Sequence, residues 1–342
     1  MDESTYIRRQ QHLANIYAQL QTCEEFYLAA HELQAVGISA SPASVAENGE
    51  VIFTPGFFRA YPYEVLAAYS IDEIHQNITY CPHIISPLRD VPNLDSQLRA
   101  HEHIVDPEAR LEAARQSLIL RLSEYWLEWN VVRRVHNHVD SQLVAFRLGL
   151  PDGFTLLHLG SLQRDYMENI ISDSDPSPFS TGVNFMHWKI EDLLDDSSEQ
   201  TNPHAIISVL TETDASAESE SLTLHEVHAI VTMMMIRTSH GPWARDEIQP
   251  LLAITYTGEG SVRITQASWQ GETLVLQFSP LWDLQHSESA PVDLIVRYYL
   301  SQLGPVDPAA QRGPDFNALA ELASGLTLGL TSRPSDEQMN MS

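Results

Sequence analysis

Positive charge is scarce in this chain. Of 19 basic residues one, Lys189, is a lysine, and 46 residues are acidic. That scarcity excludes chemistry built on lysine. A phosphate-cradling loop of the GxxxxGK[ST] type sets its lysine on the transferred phosphates, but Lys189 lies in Phe185-Met186-His187-Trp188-Lys189 with no glycine in register. A Schiff-base enzyme would need Lys189 itself, and a kinase-type strand lysine would need an upstream glycine-rich loop that the sequence lacks. The acidic-x-lysine element of some nucleases fails too, since His187 stands two residues before Lys189.

The net charge of -27 sets a negative long-range potential, which repels DNA, RNA and anionic membrane surfaces. The adjacent arginine pairs, Arg8-Arg9 and Arg133-Arg134, do not amount to the basic patch that a polyphosphate needs. A protein or a small molecule is the expected partner, and nucleic acid and membrane are not.

Cysteine is also scarce. Cys23 and Cys81 allow one bridge at most, so there is no disulfide framework and a reducing compartment is expected. The start, Met1-Asp2-Glu3-Ser4, has neither the basic region nor the apolar stretch of a secretory leader. The longest apolar run, around Ala229 to Ile236, is too short to span a bilayer. Cytoplasm or nucleus is the expected location.

What is present is enough for a core. At 342 residues there is chain for one large domain or two smaller ones, and 43% hydrophobic residues is ordinary globular usage. From Tyr6 to Val36, apolar residues at Leu13, Ile16, Tyr17, Leu20, Phe26, Tyr27 and Leu33 keep helical spacing up to Gly37, which predicts one or two helices. Ser39 to Asp106 is proline-rich and reads as irregular structure packed on the core. Pro107 to Leu148 predicts a long core helix with a stripe at Leu111, Ala114, Leu118, Leu122, Tyr125, Trp129 and Val132. A break is possible in the polar stretch Arg133 to Asp140, and Gly149-Leu150-Pro151 is the stop.

Acidic, serine-rich stretches at Asp173 to Ser180, Asp192 to Asn202 and Asp214 to Ser221 read as solvated loops. Around them the period becomes two. Strands are predicted at Val183 to Ile190, Ala205 to Leu210, Leu251 to Thr257, Val262 to Ala267 and Thr273 to Phe278. The last three are joined as an antiparallel meander through Gly258-Glu259-Gly260 and Gln270-Gly271. Helices flank the meander at Leu224 to Thr238 and Val292 to Leu303. The expected fold is α+β: a helical N-terminal half with a long core helix, residues 1–150, and a sheet-bearing half, 151–330, followed by a disordered tail, 331–342. Whether the halves form one continuous domain stays open.

Fifteen histidines raise the question of metal. His225 and His228, three apart on a helix, share a face and are candidate ligands for a divalent ion, with His240 as a third. His225, Glu226 and His228 are likewise the catalytic candidates. The competing reading makes Thr223 and Glu226 a capping box, in which the carboxylate closes the helix start. His101 and His103 alternate as on a strand or lie in a solvated loop. His136 and His138 splay apart on a helix, and Cys81, His83 and His75 lack paired ligand spacing. There is no GxSxG elbow and no GxGxxG after a strand, so no cofactor is identified. Met233-Met234-Met235 reads as core filling or an adaptable surface. Trp243, Trp269 and Trp282 with Tyr256 read as core or as a cleft wall, and Arg237 and Arg263 as partners of a carboxylate, internal or bound.

Residues 225–303 resemble a family of uncharacterised proteins from filamentous fungi. The pattern has an HxxHAIV helix, a proline-led strand, an R-I-x-Q-A strand and a G-x-x-L-V strand with an aromatic-Asp ending. It falls on His225, His228, Pro250, Arg263, Ile264, Gln266, Ala267, Gly271, Leu274, Val275 and Asp283. The resemblance implies a fungal origin and an α+β C-terminal half, and it carries no family activity over. Two functional expectations remain: an accessory or regulatory factor that binds another protein, or an enzyme or small-molecule-binding protein of fungal specialised metabolism.

Overall fold

The computed structural model describes residues 1–71, 98–125, 129–166, 188–196, 202–211, 220–239, 243–258, 260–284 and 291–306. Helix α1 (Glu3–Gln21) starts where the Asp2 carboxylate accepts the Thr5 amide at 3.0 Å, and it buries Leu13, Ile16 and Leu20 in one stripe. Strand β1 (Tyr27–Leu28) leads to α2 (Ala30–Ala35), which Gly37 ends at a φ of 91° that side-chain-bearing residues avoid. The spacing over 6–36 thus yields two helices.

The proline-rich stretch holds more regular structure than its sequence shows. It contributes β2 (Ile38–Pro42), β3 (Ser44–Val45), β4 (Val51–Ile52), β5 (Phe58–Arg59) and α3 (Tyr63–Ala67). Each is short; β3 and β4 pair with each other, and β2 and β5 pair with strands far along the chain. Along the predicted long helix lie α4 (Pro107–Tyr125) and α5 (Trp129–Val144), residues 126–128 being outside the described ones, and Arg133 to Asp140 lie inside α5 rather than at a break. Val132, Val135, Val139 and Leu143 form the buried face of α5.

A 3-10 turn at Leu156–Leu159 precedes β6 (Gln163–Tyr166), β7 (Trp188–Asp195) and β8 (Ala205–Thr211). Then come β9 (Leu222–Thr223), α6 (Leu224–Ser239), β10 (Leu251–Tyr256), β11 (Ser261–Gln270), β12 (Thr273–Phe278) and β13 (Trp282–Asp283). Helix α7 (Val292–Tyr299) and β14 (Gln302–Leu303) follow. The helix predicted to reach Leu303 stops at Tyr299, because Gln302 and Leu303 pair with Arg59 and Phe58. The loop predicted from Asp192 is also corrected, since Asp192 to Asp195 continue β7.

The main sheet runs β2-β12-β11-β10-β8-β7-β6, with β13 beside β11. It contains the expected meander β10-β11-β12, antiparallel throughout, but it is mixed, because β10 lies parallel to β8 and β12 parallel to β2. The fold is α+β. Strands β8 and β10 are buried at every position, as central strands covered on both faces must be. One face carries Ile207, Val209, Leu251, Ala253, Leu274 and Leu276 against α1 and α6. Met233 and Met234 fill that layer. The other face meets α5, which in turn packs on α7.

Residues Met1–Gly304 form one compact unit. No described helix is long and apolar enough to cross a membrane. Beside β14, the Gly304 amide donates to Phe57 O at 2.7 Å, and a Cβ on Gly304 would lie 2.1 Å from Gly56 O. Backbone has to move to admit one. Gly304→Ala is expected to cost about 1–3 kcal/mol, seen as a lower urea midpoint with an unchanged slope.

Candidate functional site

The start of α6 holds the candidates singled out by sequence. Thr223 Oγ1 accepts the Glu226 amide at 3.1 Å while Glu226 Oε2 accepts the Thr223 amide at 2.8 Å, which is the capping box. The same Oε2 lies 3.1 Å from Arg263 Nη1, and neither side chain has any exposure. Arg263 Nη1 also donates to Ser221 O at 2.7 Å, and its guanidinium lies 5.5 Å from the Phe278 ring centroid. Glu226 is thereby held inside the protein between a helix start and a central strand.

The two histidines of this helix meet different neighbours. His225 Nδ1 lies 3.5 Å from Thr211 Oγ1 on β8. The His228 ring packs near Tyr17, at 5.7 Å, and Trp188, at 6.4 Å. Burial pushes the His228 imidazole below its ordinary pKa, with the Leu20 backbone opposing, so it is neutral at pH 7. His240, the third candidate, lies outside the described residues, as do Cys81, His83 and His75. Among the described residues no group of three or more His, Cys, Asp or Glu could hold a metal ion.

The other candidates have their own neighbours. His101 is half-buried and His103 exposed, in a turn with their rings 5.9 Å apart. Arg237 donates to Pro203 O at 2.8 Å and stands 3.9 Å from Asp195. Burial lowers its pKa to about 10, against the pull of Asp195 and Asp246, which leaves it charged at pH 7. His204, beside Phe58 at 5.3 Å, is pushed down to about 4 by burial and by the Arg237 charge, with the Gly304 backbone opposing.

The densest polar constellation escaped the sequence. On the α5 side of the sheet, Asp192 Oδ2 accepts His136 Nε2 at 2.8 Å and Ser208 Oγ at 2.9 Å. Arg164 Nε stands 3.5 Å from Asp192 Oδ1, and Arg164 Nη2 stands 2.5 Å from Asp140 Oδ1, one turn after His136 on α5. Ser208 Oγ lies 2.6 Å from Tyr299 OH, which lies 3.1 Å from Tyr256 OH. Ser208 uses its one hydroxyl proton in the hydrogen bond to Asp192, so Tyr299 donates to Ser208 and Tyr256 donates to Tyr299. The Tyr256 ring packs edge-on against His136 at 5.2 Å.

Burial alone would raise the Asp192 pKa. The His136 hydrogen bond and the Arg164 charge outweigh it and hold the carboxyl below its usual range. Burial drives both tyrosine hydroxyls well above theirs, so the chain is made of neutral donors ending on one anion. Serine, histidine and aspartate are the residues of a nucleophilic triad, but the connectivity differs. There the imidazole stands between acid and hydroxyl and takes the hydroxyl proton. Here the carboxylate stands between them and accepts a hydrogen bond from each. The arrangement joins α5, β6, β7, β8, β10 and α7 through one buried charge.

Two stability measurements test these assignments. Arg263→Met leaves the Glu226 charge buried and unpaired, with an expected loss of about 3–5 kcal/mol in urea unfolding, and Glu226→Gln with Arg263→Met recovers part of it. Because the folded Asp192 pKa is depressed, the stability it contributes is present above about pH 4 and is lost as pH falls toward the folded value. Asp192→Asn should therefore flatten the fall in urea midpoint below pH 4, and an unchanged acid limb would refute the assignment. No protein-family model, no curated protein and no solved structure matches this chain.

Proposed function

We propose that this protein works by binding another protein, as an accessory or regulatory factor in the cytoplasm or nucleus. Its partner would present an extended segment with apolar and basic side chains. The observation that supports the reading is a groove of about 730 Å³ over β4 and β5. Val51, Phe53 and Phe58 form its floor, Ile52 is 53% exposed at its side, and its charged lining is Glu47, Glu50 and Arg59. Apolar floors give a partner affinity, and charged rims select its sign and speed encounter. On a chain of net charge -27, that sign favours basic segments. Glu50 also pairs with Arg297 on α7, which fixes the rim on the body of the fold.

The proposal takes the chain as a relative of the filamentous-fungal proteins that residues 225–303 resemble. A fluorescent peptide alternating lysine and valine tests the groove, with a glutamate-valine peptide as control. The lysine peptide is expected to bind saturably, and Ile52→Ser and Glu47→Lys are each expected to weaken it by about tenfold. Equal affinity for both peptides, or an affinity for the lysine peptide that neither substitution changes, would exclude the groove as the recognition surface.

A further inference from the structure

Arg8 and Arg9 are adjacent arginines on α1, and in sequence they do not form a basic patch. In the folded chain they meet the β11–β12 turn. A cavity of about 150 Å³ lies there, lined by Thr5, Arg8, Arg9, His12, Trp269 and Glu272. That volume equals the share of about five liquid waters, at about 30 Å³ each.

Arg9 is an unusual group to find in an acidic protein. It is 5% exposed, and its guanidinium lies 5.1 Å from the Trp269 ring centroid. Its Nη1 donates to Asp246 O at 2.9 Å and its Nη2 to Glu247 O at 2.8 Å. These are neutral carbonyls, and among the described residues Arg9 makes no ion pair. Burial lowers its pKa and the Glu247 charge opposes this. A buried cation without a contacting anion costs free energy that a bound anion recovers.

The mouth is closed by a weak contact. Arg8 Nη1 pairs with Glu272 Oε1 at 2.5 Å, but both side chains are mostly exposed, at 59% and 70%. Pairs of this kind contribute little and exchange readily with a competing anion. Gly271, with a φ of 64°, makes the turn that presents Glu272, and a Cβ there would meet nothing within 4 Å. His12 forms the inner wall, its Nε2 in contact with Gly37 O at 3.3 Å and its ring edge-on to Trp269 at 5.8 Å.

We infer that the cavity between α1 and the β11–β12 turn binds a small oxyanion group, a phosphoryl or a carboxylate, between Arg8 and Arg9 and over Trp269. Glu272 occupies Arg8 in the free protein and yields it to the ligand. The Arg8 guanidinium suits both anions, because its planar fork offers paired N–H donors to paired oxygens, and Arg9, held by Asp246 O and Glu247 O, adds its charge. The inference is independent of the groove over β4 and β5.

Calorimetric titration of the full chain with inorganic phosphate, and separately with acetate, at constant ionic strength in chloride, tests it. One saturable site is expected. Arg8→Gln should weaken it by about tenfold or more, and Glu272→Gln should tighten it, because a competing carboxylate is gone. Stronger binding of phosphate assigns a phosphoryl ligand, and stronger binding of acetate assigns a carboxylate. Absence of saturable binding by either anion overturns the inference. So does an affinity that neither substitution changes, with circular dichroism showing both variants folded.

Discussion

The buried carboxylate of Asp192 is the constraint on which one whole side of this protein depends. An ionised group cannot stay in an apolar interior without donors, and this one sits beneath α5 with only 6% of its residue exposed. Its hydrogen-bond donors come from a helix and a strand, a second strand brings the Arg164 charge, and Ser208 extends the chain to two tyrosines on further elements. A bulge in β7 between Ile190 and Asp192 sets Asp192 opposite Ser208. Without that shift the carboxylate would face the other layer, since one residue of slip reverses every side chain of a strand.

The opposite layer follows the same rule with different parts. Glu226 closes the first turn of α6, and Arg263, from the middle of β11, neutralises it. Each layer of the unit therefore carries one buried anion that ties a helix to the sheet. Apolar contact supplies most of the driving force for such packing, but it has no direction. Hydrogen-bonded charges do have direction, and here they specify which turn of each helix lies over which strand.

The meander and α6 were legible because each carries its own signal: alternation in Thr273 to Phe278, glycine at the turn before it, and Thr223 with Glu226 at a helix start. Reading Arg263 as a partner for an internal acid was also within reach of sequence. The rest was not legible, for a common physical reason. Strands β2 and β14 are short, and their order comes from Thr273–Phe278 and Phe58–Arg59, far away in the chain. Asp192 looked like part of a solvated acidic loop because its context runs Glu191, Asp192, Asp195, Asp196. Only the fold brings Arg164 and His136 to it. Arg8 and Arg9 looked isolated for the same reason, since Trp269 and Glu272 arrive from the other end of the chain.

Strand β2 and helix α1 have a consequence for how the protein is made. Both leave the ribosome early, yet α1 packs against α6 and β2 pairs with β12, more than 200 residues later. At about 5–20 residues per second, Leu13, Ile16 and Leu20 wait roughly 10–40 seconds for the surface that covers them. Until then the chain carries an uncovered apolar stripe whose site has not yet been synthesised. Such long-range closure is slow, and it makes the last strands of the sheet the step that commits the first helix to its place.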